Sequence, residues 1–165
     1  MSTTTPEALR RLADDLAEGR FPAHIDALPV AEKLKRAFTF FEACEVTQPM
    51  GLFPAPPKAV QAACKKLDFK GRRAVNRLTT TNIWWAFFFG PFYYFFAGMW
   101  KKGLTLLGGV FLLCFIFAVV YHGLLEAPES RAVDTGISVG ISWAVSVMAS
   151  YDLYRFKVKH EDFWW

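Results

Sequence analysis

Residues 82–103 read Asn82-Ile83-Trp84-Trp85-Ala86-Phe87-Phe88-Phe89-Gly90-Pro91-Phe92-Tyr93-Tyr94-Phe95-Phe96-Ala97-Gly98-Met99-Trp100-Lys101-Lys102-Gly103, and this stretch decides how the whole chain is read. Eleven of the eighteen residues from Ile83 to Trp100 are aromatic. A water-soluble domain of 165 residues has no room to bury rings on every side of one helix or strand. Trp and Tyr at this density favour the membrane–water boundary, where a ring sits half in oil and its N–H or O–H stays wet. Trp84, Trp85, Tyr93, Tyr94 and Trp100 are therefore expected at the interface, followed by Lys101 and Lys102.

Working outward, Gly103 to Leu125 is about 23 residues interrupted only by Thr105 and His122, long enough to cross ~30 Å of hydrocarbon. Thr135 to Tyr154 reads as a second span, less apolar, with Ser138, Ser142, Ser146 and Ser150 at four-residue steps. The net-acidic loop between them, Glu126 to Asp134, makes the pair an antiparallel hairpin. Charge then decides whether 82–102 also crosses. If it crosses, Lys101 and Lys102 fall outside together with Arg155, Lys157 and Lys159. If it does not, every basic cluster is cytoplasmic and only Arg131 is exterior, as the positive-inside rule prefers. The aromatic run is thus expected to be a bent interfacial or re-entrant segment, hinged at Gly90-Pro91.

The first half is polar and helical in pattern. Thr5-Pro6-Glu7 opens a helix that Gly19 ends, with Leu9, Leu12, Ala13 and Leu16 on one face. A second helix is expected from about Val30 to Val46 and a third from Lys58 to Leu67. Pro49, Pro54, Pro56 and Pro57 keep residues 49–57 irregular. Large apolar residues are few in 1–75, so this part is expected to pack on the membrane region, on a partner, or to stay partly mobile. The net charge is +4, and Lys65, Lys66, Lys70, Arg72, Arg73 and Arg77 cluster just ahead of the aromatic run. That position points to lipid headgroups or a protein partner, with nucleic acid the less favoured reading.

Several constellations remain. Gly136 and Gly140, extended by Ala144, form a small-residue face suited to close helix packing, with Ser138, Ser142 and Ser146 on the other side. A pore lined by the serines is the less favoured reading, since a serine can bond the preceding turn's carbonyl. His122 and Asp152 are the ionisable groups nearest the membrane, and both read as boundary anchors, Asp152 pairing with Arg155, Lys101 or Lys102. Trp164 and Trp165 close the chain as a further interface anchor. Cys44, Cys64 and Cys114 are odd in number and lack metal spacing, and the three histidines are scattered. No catalytic spacing, phosphate loop or metal motif occurs, so no enzyme, no metal and no cofactor are expected. The polar N-terminus carries no signal-peptide core.

At Asn82, Ala86, Phe87, Phe89, Gly90 and Pro91, and then Gly98-Met99-Trp100-Lys101-Lys102-Gly103, the chain resembles DUF2628, a family of small bacterial inner-membrane proteins of unknown function. The resemblance covers roughly residues 80–150 and leaves 1–75 aside. It implies a bacterial inner-membrane location and this architecture, and no chemistry.

The expected fold is an all-α membrane protein: a helical cytoplasmic N-terminal segment, a bent aromatic re-entrant or interfacial segment, and a two-helix transmembrane hairpin. The expected division is a basic helical region, 1–78, and a membrane region, 79–165. Within the latter, 82–102 is interfacial, 103–125 and 135–154 cross, and 155–165 is a cytoplasmic aromatic and basic tail. The expected function is protein–protein interaction from the inner membrane, as an accessory subunit or a toxin-immunity-type protein. Its partners would be membrane lipids and a protein or a second copy; an oligomeric channel or lipid/ion-handling protein is the alternative.

Overall fold

A computed structural model describes residues 5–49, 53–81, 83–124 and 131–164. These residues are helical, with no strand beyond an isolated bridge between Thr47 and Ala55. Two compact units form: Met1–Thr81 with Ser150–Glu161, and Asn82–Ala149 with Asp162–Trp165. Most of the expected acidic loop, together with Asn82 and Trp165, lies outside the described residues.

The first unit begins with α1, Pro6–Ala17, whose N-cap Thr5 accepts from the Ala8 N–H at 3.3 Å. Gly19 ends the turn that follows at φ +78°, where a side chain would be strained. Leu9 and Leu16 bury the apolar face. A short α2, Ala23–Asp26, buries Ile25, and α3, Glu32–Ala43, buries Ala37, Phe38, Phe40 and Phe41. The proline-rich stretch is pinched shut by reciprocal backbone bonds between Thr47 and Ala55, 3.1 and 2.7 Å. Then come α4, Lys58–Lys66, and α5, Phe69–Thr79, which place Val60, Ala63 and Val75 in the core. Helix α5 has little apolar content to announce it. Its visible signal is Asp68, whose carboxylate accepts from the Gly71 N–H at 3.0 Å.

The core of this unit is completed from the far end of the chain. Helix α9, Arg131–Lys157, carries Tyr151, Leu153 and Tyr154 into it from the residues beyond Ala149. The Tyr151 ring lies 5.2 Å from Phe41, and Tyr154 lies 5.7 Å from both Phe38 and Phe41. The buried Tyr151 hydroxyl donates to the Val46 carbonyl at 2.5 Å. Helix α9 therefore continues past Tyr154 to Lys157, three residues into the stretch expected as a tail.

In the second unit the aromatic run is two short helices, α6, Trp84–Phe89, and α7, Phe92–Phe96. At six and five residues they measure ~9 and ~7.5 Å, far short of ~30 Å of hydrocarbon. Gly90 separates them at φ +53° and ψ −134°. Gly98, at φ +84°, ends α7, with the Met99 N–H bonded to the Tyr94 carbonyl at 2.8 Å. Helix α8, Trp100–Ala118, follows directly and runs into a π-helical turn, Val119–Leu124. Two helices, Trp100–Tyr121 and Val133–Lys157, are long and apolar enough to cross a membrane.

Among the described residues of this unit, full burial is concentrated at one end of the long helices. Ala86, Tyr94, Met99, Gly103 and Leu106 are buried, as are Val145 to Ala149 on α9. Beyond them Phe111, Leu112, Leu113, Phe115 and Ile116 on α8, and Val139 and Trp143 on α9, are exposed. Ile83 and Ser146 tie the start of α6 to α9: the Ile83 N–H donates to the Ser146 carbonyl, and Ser146 Oγ donates to the Ile83 carbonyl, both at 3.2 Å. A Cβ on Gly103 would meet Phe95 at 3.1 Å and Tyr94 at 3.2 Å, whereas Gly108 and Gly109 face open space. Gly103→Val should therefore destabilise the fold by ~2 kcal/mol through overpacking. Gly109→Val should change stability by less than ~0.5 kcal/mol. Thermal unfolding of the two variants in detergent checks the contrast.

Candidate functional site

The first unit carries a cleft of about 680 Å³ between the end of α3, the turn that follows it, and the last turns of α9. Its walls combine Phe41, Val46, Tyr151 and Tyr154 with His24, Glu42, Glu45, Arg155, Lys159 and Glu161. His24 Nε2 lies 3.0 Å from Glu42 Oε2, a pairing that orients the imidazole. Arg155 Nε donates to Glu161 Oε2 at 2.7 Å, and the Lys159 ammonium sits 5.8 Å over the Tyr154 ring. The rim thus carries both signs of charge over an aromatic floor. Such a surface suits a polar segment with an apolar anchor better than a single ion.

Glu45 is held here in a conformation that a glycine would normally take. The Val46 N–H bonds the Phe41 carbonyl at 2.9 Å and the Glu45 N–H bonds the Glu42 carbonyl at 3.2 Å, closing α3 with a Schellman motif. Glu45 occupies its left-handed position at φ +47°. A non-glycine residue there costs about 1–2 kcal/mol, and strain of this kind is retained where a side chain is needed in place.

A second feature is the basic face of α4 and α5, where Lys65, Lys66, Lys70, Arg72, Arg73 and Arg77 are all exposed. Arg72 Nη2 donates to the Lys65 carbonyl at 2.8 Å and so ties the end of α4 to α5. Burial pushes the nearby Cys64 thiol up from its ordinary value, against the pull of the Arg72 charge.

The expected interface residues separate in the structure. Trp84, Trp85, Trp100 and Trp164 are 63%, 66%, 49% and 53% exposed, and Tyr93 is half-buried. Tyr94 and Lys102 are not surface anchors: both are wholly buried. Tyr94 is turned inward because α7 lays it beneath the helix start at Gly103. The Lys102 ammonium lies 5.0 Å over the Phe163 ring. Lys101 is ion-paired with Asp162, and Thr105 Oγ1 donates to the Trp164 carbonyl at 2.6 Å. Trp100 and Trp164 meet edge to face at 5.6 Å.

On α9, Gly136 and Gly140 face open space, and Ala144 is half-buried. The serine ladder does not behave as one strip: Ser138 is exposed, Ser142 half-buried, and Ser146 and Ser150 fully buried. Asp152 is fully buried, and Arg155 Nε donates to Glu161. The side chain of His122 lies outside the described residues. Among the described residues no group of three His, Cys, Asp or Glu is placed to hold a metal ion.

Residues 31–159 match a family described as a protein of unknown function, DUF2628. The chain belongs to this family. The match starts at residue 31 and so corrects the narrower extent of 80–150, taking in α3, α4 and α5 as well as the long helices. No curated protein and no solved structure matches the chain. The DUF2628 region contains most of the cleft wall and all of the basic face, whereas His24 and Glu161 fall outside it. Sequence reading missed the cleft because its walls come from residues more than a hundred positions apart. The acidic pair Glu42 and Glu45 ahead of the prolines was its one local sign.

Glu45→Gly should raise stability by about 0.5–1 kcal/mol, the left-handed penalty less the chain entropy of glycine. Denaturant or thermal unfolding beside the parent protein measures it.

Proposed function

We propose that this DUF2628 protein is an integral protein of the bacterial inner membrane, with both termini cytoplasmic, that acts by holding a protein partner. The single observation behind it is the uncovered apolar length of α8 and α9 beyond their packed base. Phe111 and Phe115 on α8 and Trp143 on α9 are 74%, 59% and 52% exposed, which water would penalise and lipid would not. Asp162 and Trp164 pack beside Lys101, Trp100 and Thr105, so a chain that leaves by α8 returns by α9. The short α6 and α7, broken at Gly90, fit a ring-bearing segment lying at the interface. Because Tyr151 and Tyr154 belong to the first unit's core, the second span would end near Ala149. Val133 to Ala149 then measures ~25 Å, at the short end of a crossing.

The partner would seat against glycines that no described residue covers. Gly108 and Gly109 on α8, and Gly136 and Gly140 on α9, leave bare backbone that a neighbouring helix can approach closely and a lipid chain fits less well. Together with the mixed-charge cleft, this supports an accessory subunit or an immunity-type protein, or a second copy as partner. The channel reading is weaker. Ser146 Oγ donates to the Ile83 carbonyl, which argues against that serine lining a path.

Replacing Gly136 and Gly140 together by Leu should reduce the protein retained with the chain in mild detergent at least tenfold while leaving its folding intact. A parent chain that is strictly monomeric and binds no protein would refute the proposal. In a cysteine-free background, an impermeant thiol reagent applied to whole cells should label a cysteine at Asp134. It should miss cysteines at Lys101 and Lys159; labelling at position 101 would refute the non-crossing arrangement.

A further inference from the structure

Helix α5 turns Val75 into the core, and its opposite face carries Phe69, Arg72, Arg73, Asn76, Arg77 and Thr80. These positions follow the spacing i, i+3, i+4, i+7, i+8 and i+11, which puts them on one side of a helix. They line a shallow cleft of about 320 Å³. Phe69 is 77% exposed, among the most exposed large apolar side chains described. No acidic residue lies in the first turn of α5, and its last turn carries Arg77.

The charges on this face contrast with those elsewhere. Arg20 pairs with Asp15 and Glu18, Lys35 with Asp26, Arg36 with Glu32, and Arg155 with Glu161. Among the described residues no ion pair involves Arg72, Arg73, Arg77, Lys65, Lys66 or Lys70. Residues 65–77 hold these six exposed cations and a single acid, Asp68, so the face sums to a positive field that an outside anion would neutralise.

We propose that this face of α5 seats on the anionic lipid surface of the bilayer, Arg72, Arg73 and Arg77 taking lipid phosphates and the Phe69 ring entering the headgroup layer. Guanidinium groups match phosphate oxygens in paired geometry, and an exposed ring beside them is the composition of a helix lying in an interface. Chain length favours lipid over a nucleic acid or an acidic protein. Five residue steps separate Thr79 from Trp84, so at most ~18 Å separates the end of α5 from the exposed rings of α6. The face would hold the first unit against the membrane by a second contact, independent of the long helices. This rests on the membrane reading above.

The test uses the full chain in lipid nanodiscs, cysteine-free except for Phe69→Cys carrying a fluorophore, with acrylamide as a neutral aqueous quencher. In discs containing phosphatidylglycerol, quenching should be at least fivefold lower than in pure phosphatidylcholine. Adding Arg73→Gln and Arg77→Gln should restore the phosphatidylcholine level, while Arg131→Gln should leave the protection in place. Equal quenching in both lipids overturns the proposal, as does protection in phosphatidylcholine by an added oligonucleotide or polyglutamate with none from the anionic lipid. Protein retained in the discs with equal quenching fails this proposal alone. Protein that enters neither kind of disc fails the membrane reading, and the proposal with it.

Discussion

Tyr151 and Tyr154 meet Phe38 and Phe41 in a four-ring cluster, and the first unit depends on that cluster for its centre. Helix α3 supplies Phe38, Phe40 and Phe41, but α1, α4 and α5 have narrow apolar faces of leucine, alanine and single valines. Such faces bury too little surface to offset the entropy of ordering several short helices. The two tyrosines add large rings near the C-terminal end of α9. The Tyr151 hydroxyl satisfies the Val46 carbonyl, so the turn after α3 is fixed by the same contact. That turn carries Glu45 and forms one wall of the cleft. A single C-terminal helix thereby sets the core, the turn and the cleft.

Glycine does three different jobs in the second unit. At Gly90 and Gly98 it takes positive φ and lets the aromatic run break and then stop. At Gly103 it lets Tyr94 and Phe95 close on the start of α8. At Gly108, Gly109, Gly136 and Gly140 an added Cβ would meet nothing within 4 Å among the described residues. The first two uses explain how an aromatic segment too crowded for one helix folds as two. The third leaves surface that matters only once something else covers it, and the proposed function depends on that covering.

The membership in DUF2628 joins these parts, since the matched span begins with α3 and ends at residue 159. The polar helices α3 to α5 and the two long apolar helices therefore fall within one family match. Hydropathy divides the chain at the aromatic run because it reads each residue by its own character. The fold divides it by packing, and α9 contributes to both units.

The residues alone determined the helical class, the two long apolar helices, the irregular proline stretch, the break at Gly90-Pro91 and the family, because periodicity, backbone-restricted residues and a dense local motif are properties of neighbours in the chain. Helix α5 was hidden, its few apolar residues giving little periodic signal beyond the Asp68 cap. Only the tertiary structure decided that Tyr94, Lys102 and Asp152 are buried, that Ser146 is spent on Ile83, and that His24, Glu42 and Glu161 share a cleft. Burial and pairing are set by which surfaces meet, and those surfaces come from residues tens to more than a hundred positions apart.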